Sequence, residues 1–80
     1  MSNFKDLQWQ IDDDGYIVAK PDGLKWSYYI SYTNGYFELA LIDEYGNSDN
    51  RYSSRHSTIL EAYFKAKEHY LSVLLKHIIL

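Results

Sequence analysis

Along residues 57–80 apolar side chains recur every three or four positions, with no Gly or Pro among them. That repeat belongs to an α-helix with at least one side against a core. Thr58-Ile59-Leu60-Glu61 matches a capping box, in which a Thr hydroxyl and a Glu carboxylate satisfy the first free N–H groups. Ser57 offers an alternative cap one residue earlier. Glu61 and Lys65 stand four apart in the favourable order for an ion pair. Glu61, Lys65, Glu68, Ser72 and Lys76 form one polar stripe, and Ile59, Tyr63, Ala66, Tyr70, Val73 and Leu74 form an opposing face suited to a sheet. A second apolar set, Leu60, Phe64, Leu71, Leu75 and Ile78, remains on the flank. Read as 60-64-67-71-74-78, it is a heptad seam interrupted by Lys67. One stripe is enough to cover a sheet, so the flank calls for a second burial site. Self-association into a homodimer through Leu60, Phe64, Leu71, Leu75 and Ile78 is the expectation.

Upstream the period changes to two. Leu7, Trp9 and Ile11 alternate with Gln8, Gln10 and Asp12, which predicts a first strand, and residues 16–20 predict a second. Between them, Asp12-Asp13-Asp14-Gly15 is a turn signal, and Lys20-Pro21-Asp22-Gly23 is the next. Asn34-Gly35 between two alternating apolar runs predicts a hairpin closed by a type I′ turn. Its register places Thr33 opposite Tyr36, Ile30 opposite Leu39, and Trp26 opposite Asp43. Trp26, Tyr28, Ile30, Tyr32, Phe37, Leu39 and Leu41 then share the core face. Ser27, Tyr29, Ser31, Thr33, Tyr36, Glu38, Ala40 and Ile42 share the outer face. Residues 44–50 read as a polar turn and residues 51–54 as a short edge strand, with Arg55-His56 leading into the helix cap. The expectation is a single α+β domain over residues 1–80, an antiparallel meander of three to four strands with one face covered by a long C-terminal helix.

Composition adds limits. A chain of 80 residues buries only about 60% of its unfolded surface, so its core is thin. Nine Tyr and two Trp supply much of the apolar area on rings with polar tips. There is no Cys, so thiolate chemistry is excluded. Residues 1–6 lack the apolar run of a signal peptide, and a cytoplasmic location is the default expectation, with no membrane contact.

Charge is uneven. Residues 1–50 carry three Lys against nine Asp or Glu, and residues 51–80 carry five Lys or Arg against two Glu. An acidic sheet half repels phosphate and suits a basic protein surface better than nucleic acid. The alternative expectation is a small nucleic-acid-binding regulator using Arg51, Arg55, Lys65 and Lys67.

Chemical motifs are sparse. Aligned on Gly15, a calcium loop would have Gln10 at its first ligand position and Pro21 at its twelfth, where a bidentate Glu is required, so two of the strongest ligands are missing. His69 and His77 are two helical turns apart, and the three His read as cap-side or surface residues rather than a metal set. No nucleophile elbow and no Gly-rich phosphate cradle occurs, so no enzyme and no cofactor is expected. Tyr29, Tyr36, Glu38 and Ile42 on the outer sheet face are the candidate partner-binding residues, since Tyr buries area at low entropic cost. Asp13 to Ala19 followed by Thr58 to Ala62 is similar to antitoxins of the HicB type, which carry an acidic Gly turn between strands and a helix opened by Thr. Here a whole hairpin intervenes. In size and composition the chain looks like the small inhibitors that phages and mobile elements encode, anti-CRISPR proteins among them. The functional expectation is a small non-enzymatic protein-interaction module, an inhibitor of that kind; a structural or accessory subunit of a larger assembly is the third reading.

Overall fold

A computed structural model describes residues 7–21, 23–49 and 52–79, with side chains through residue 76. Five antiparallel strands in sequential order form one sheet: β1 (Trp9–Ile11), β2 (Ile17–Ala19), β3 (Trp26–Thr33), β4 (Tyr36–Asp43) and β5 (Ser54–His56). One helix, α1 (Ile59–Ile79), follows. The α+β meander is as expected, with one strand more.

The central hairpin has the predicted register along its full length, from Thr33↔Tyr36 to Trp26↔Asp43. Asn34 and Gly35 both take positive φ, 54° and 84°, as a type I′ turn demands. Two other turns share one construction. Asp12 Oδ1 accepts the backbone N–H groups of Asp14 and Tyr16 at 3.0 and 2.8 Å. Asp43 Oδ1 accepts those of Tyr45 and Asn47, both at 2.9 Å. In each, a Gly three residues after the Asp has φ near +87°. The D-x-x-G-x spacing is a local solution in which the carboxylate replaces the strand ladder at the bend. Asp12 therefore has a structural task that its neighbours in the acidic run do not share.

The fifth strand corrects an expectation. The edge strand is Ser54–His56 rather than residues 51–54, and Arg55 and His56 belong to it instead of leading into the cap. Arg51 lies outside the described residues. An Ile42↔Ser48 bridge and a bond from Asp49 N–H to Leu41 O carry the β4 edge past the turn. Tyr52 N–H then bonds Asp49 O at 3.1 Å, ahead of the return strand. Pairing starts only at Leu39↔Ser54 and runs to Phe37↔His56. Ser54 and His56 thus face the helix, and their side chains bond each other at 2.7 Å. Arg55 faces outward.

The core lies between sheet and helix. Leu7, Ala19, Tyr28, Ile30, Leu39, Leu41, Ala62, Ala66 and Tyr70 are its buried members. Ala62 and Ala66 are fully buried one turn apart, so the helix backbone approaches the sheet closely. Trp9, Ile17, Leu24, Trp26, Phe37, Tyr63 and Leu74 pack around them. Tyr32, expected in the core, is 65% exposed. It stands next to the hairpin tip and stacks on Phe37 at 4.8 Å instead.

At the helix start, Glu61 N–H bonds the Thr58 hydroxyl at 3.2 Å, and the Glu61 carboxylate accepts the Ser57 hydroxyl at 3.1 Å. Thr58 is therefore the backbone cap, while Ser57, the alternative, bonds the Glu61 carboxylate instead of a backbone N–H. Lys65 pairs with Glu68 at 3.9 Å on the exposed face.

Because Ala66 is fully buried in the core between helix and sheet, Ala66→Leu forces the two layers apart. Urea unfolding should show a loss of about 1–3 kcal/mol, as for other overpacked cores, while Lys67→Leu on the exposed side should leave stability almost unchanged.

Candidate functional site

Three surfaces carry the candidate residues. On the outer sheet face the register aligns Tyr36, Glu38 and Ile42 along β4, with Tyr29 beside Ala40 on β3. Much of the apolar area there is already used. Val18 is paired with Tyr29 and is only 3% exposed on this nominally outer side. Tyr16 meets Tyr29 edge-on at 6.0 Å. Tyr29 and Ile42 are half-buried, and Tyr36 near the hairpin tip is exposed. Glu38 lies 3.9 Å from Arg55 across the β4–β5 pair.

The helix flank is more open. Leu60, Phe64, Leu71 and Leu75 are 62%, 67%, 39% and 50% exposed. Their spacing of four, seven and four residues keeps them on one line. Ala62, Ala66 and Tyr70 face the sheet, so this line points into solvent. Ile78 is in the last turn, where side chains are outside the described set. At its N-terminal end the line borders a groove of about 200 Å³ shared with Leu7, Trp9, Tyr63 and Lys67.

Among the described residues the candidate basic side chains do not gather. Arg55 is on the outer sheet face against Glu38. Lys65 is on the helix against Glu68, and Lys67 is beside the Leu7 groove. The sheet separates Arg55 from both.

The third surface was not anticipated, and it corrects the reading of His69 as a cap-side or surface residue. Ala62, Ala66, His69 and Val73 follow a four-three-four spacing, and that signal would have placed His69 on the sheet side. Its Nδ1 lies 2.7 Å from the hydroxyl of the fully buried Tyr28. Tyr52, Tyr28 and Trp26 surround the imidazole edge-on, with centroids 4.6, 5.7 and 6.1 Å away. Burial pulls the His69 pKa below the ordinary histidine value and Lys76 adds to this, while Asp49 works against both. Burial likewise raises the Tyr28 phenol. The Trp26 indole N–H acts on that oxygen in the opposite direction, yet its geometry falls short of a hydrogen bond and leaves Nε1 buried without a partner.

Two clefts open on either side of the Tyr52–His69 pair. One, about 350 Å³, is lined by Leu39, Leu41, Ser54, Lys65, Glu68 and Ser72 among others. The other, about 500 Å³, is lined by Trp26, Leu41, Asp43, Asn47, Asp49 and Val73 among others. Among the described residues no three His, Asp or Glu side chains converge to hold a metal ion, and no helix is long and apolar enough to cross a membrane.

A histidine whose pKa is lowered in the folded state binds fewer protons there than when unfolded, so stability rises with pH through its titration. The stability is present above the ordinary value of about 6.5 and is lost as pH falls through the lowered one. In urea unfolding between about pH 7.5 and pH 5.5, His69→Gln should flatten the pH dependence shown by the parent chain.

Comparison with protein-family models, with curated proteins and with solved structures gave no match, so the surfaces themselves carry the functional argument.

Proposed function

We propose that this chain is a non-enzymatic protein-interaction module that docks through the flank of α1 onto a helical partner, a second copy of the chain being one such partner. The observation that supports the reading is the line of Leu60, Phe64, Leu71 and Leu75 on the solvent side of the helix. Scattered exposed apolar residues need no explanation, but four aligned on one flank, with Lys67 between the two pairs, do. Its heptad-like spacing suits another helix better than a flat surface.

Magnitudes limit the contact. Burying a whole Leu or Phe side chain is worth about 1.5–3 kcal/mol, so four that are roughly half exposed offer about 4 kcal/mol in total. Association itself costs at least about 4 kcal/mol. The line alone therefore supports a transient encounter, and tight binding draws on neighbouring contacts such as the Leu7–Trp9 groove. The outer sheet face is a weaker docking surface, since Tyr29 and Ile42 already cover the sheet. The basic residues favour nucleic acid less, because Arg55 and Lys65 each stand beside a carboxylate and share no face.

Sedimentation velocity over a range of concentrations, combined with affinity capture from the native host, tests the reading. The parent chain should show concentration-dependent association or a stoichiometric protein partner. Leu71→Lys should abolish it without lowering the urea midpoint. A monomer at every concentration, with Leu71→Lys leaving capture unchanged, would remove the flank from consideration.

A further inference from the structure

The helix covers only part of its sheet. Five strands about 4.8 Å apart make a surface about 20 Å across, whereas a helix with its side chains covers about 10 Å. α1 lies closest to β4 and β5, and its His69 reaches Tyr28 on β3. Toward the far edge it extends Tyr63, whose ring is 5.0 Å from that of Trp9. The register aligns Trp9, Ile11, Ile17 and Ala19 with the buried Tyr28 and Ile30, on the helix-facing side of the sheet. Ala19 is buried, Trp9 and Ile17 are half-buried, and Ile11 is 74% exposed. An apolar strip about one helix wide, open at Ile11, thus lies beside α1 over β1 and β2.

Strip and flank are continuous. The groove of about 200 Å³ among Leu7, Trp9, Leu60, Tyr63, Phe64 and Lys67 joins them. The strip is the floor of a trough and Leu60 and Phe64 are its wall, which Leu71 and Leu75 extend along α1. The two edges of the sheet are also unlike. β5 carries Arg55 beside Glu38, a charge of the kind that protects an edge from pairing. Residues 7–11, Leu-Gln-Trp-Gln-Ile, carry none, so an incoming helix meets no charge on the floor.

We infer that the trough seats α1 of a second copy, running antiparallel to the first across a twofold axis; this rests on the docking reading of the flank and names its partner. A twofold pairing is isologous, so each copy's ridge fills the other's trough and one contact covers both apolar surfaces. The ridge is built to meet itself. Leu60, Phe64, Leu71 and Leu75 are spaced four, seven and four, a palindrome, so the antiparallel pairing sets Leu60 against Leu75 and Phe64 against Leu71. Lys67 and Glu68 of both copies gather at the axis, where their charges cancel. Glu61, in the first turn, comes beside the end of the other helix that carries Lys76, and the two helix dipoles oppose each other. A parallel pair would instead bring Lys67 onto Lys67 and Glu61 onto Glu61. A flat or strongly charged partner would leave the floor at Ile11 uncovered.

The chain has no Cys, so thiols introduced into it report on their own positions. Leu60→Cys and Leu75→Cys chains, mixed and treated with a short bismaleimide, should give a dimer linked from residue 60 to residue 75. Each variant alone should give far less, because like positions then lie about 22 Å apart along the helix axis. Lys67→Cys alone, next to the axis, should link to itself. In sedimentation velocity the parent chain should dimerise below about 1 mM, and Ile11→Asp should weaken this at least about tenfold with the urea midpoint unchanged, since Ile11 is exposed. Self-linking at 60 and at 75 would overturn the antiparallel arrangement, and Ile11→Asp without effect would overturn the seat on the sheet. A monomer up to about 1 mM would overturn the inference as a whole. If Leu71→Lys then still blocked capture of another protein, the helical-partner reading would stand without it.

Discussion

The position of everything else in this protein follows from the contact between the Tyr28 hydroxyl and the His69 imidazole. Tyr28 is fully buried at the centre of the sheet. A buried hydroxyl without a partner costs about 1–3 kcal/mol, a large share of what a small domain has to spare. His69 meets it at 2.7 Å and fixes how the helix is rotated over the sheet. With that rotation, Ala62, Ala66 and Tyr70 face the strands and complete the core. Leu60, Phe64, Leu71 and Leu75 then have nowhere to go but outward. The exposed apolar line and the buried polar bond are two consequences of one choice of helix rotation.

The same bond organises the second surface. His69 must sit over β3 and β4 to reach Tyr28, and in doing so it brings its other edges against Tyr52 and Trp26. Tyr52 arrives there because the 43–49 turn is held by the Asp43 carboxylate and by the Asp49–Leu41 link. The clefts on both sides of the pair lie where the strand connection between β4 and β5 meets the helix between Lys65 and Val73. A two-layer domain of this size has little interior, so its most enclosed space lies at the seam between the layers.

The outer sheet face shows how aromatic residues can be employed without a partner. Val18 has the parity of a solvent-facing position, yet it is buried beside Tyr29, and Tyr16 leans on Tyr29 in turn. Part of the high Tyr content is explained by this self-covering: rings lean on one another over a sheet face that has no second layer to bury it. The Glu38–Arg55 contact across the strands joins the acidic half of the chain to the basic half, at an exposed site where such a pair adds little stability.

Local pattern determined the elements. Alternation wrote the strands, Asn34-Gly35 wrote the hairpin and its register, and Thr58 with Ser57 wrote the helix start, because each depends on backbone geometry within a few residues. The presence of two apolar flanks on one helix was also legible. Which of them faces the sheet was legible too, whereas tertiary structure alone decided that Tyr28 meets His69, forty-one positions away. It decided that Tyr32 lies beyond the reach of the helix although its parity is that of Tyr28 and Ile30. It set the fifth strand at 54–56, because the bridge after Asp43 and the Tyr52–Asp49 bond come before the pairing that was expected at 51–54. It also gathered Trp26, Asp43, Asp49, Tyr52 and His69 around one cleft, a set taken from four separate segments whose spacing in the chain carries no trace of their meeting. Short-range periodicity fixes what each segment is; burial of polar groups and the closeness of approach between layers fix what those segments face.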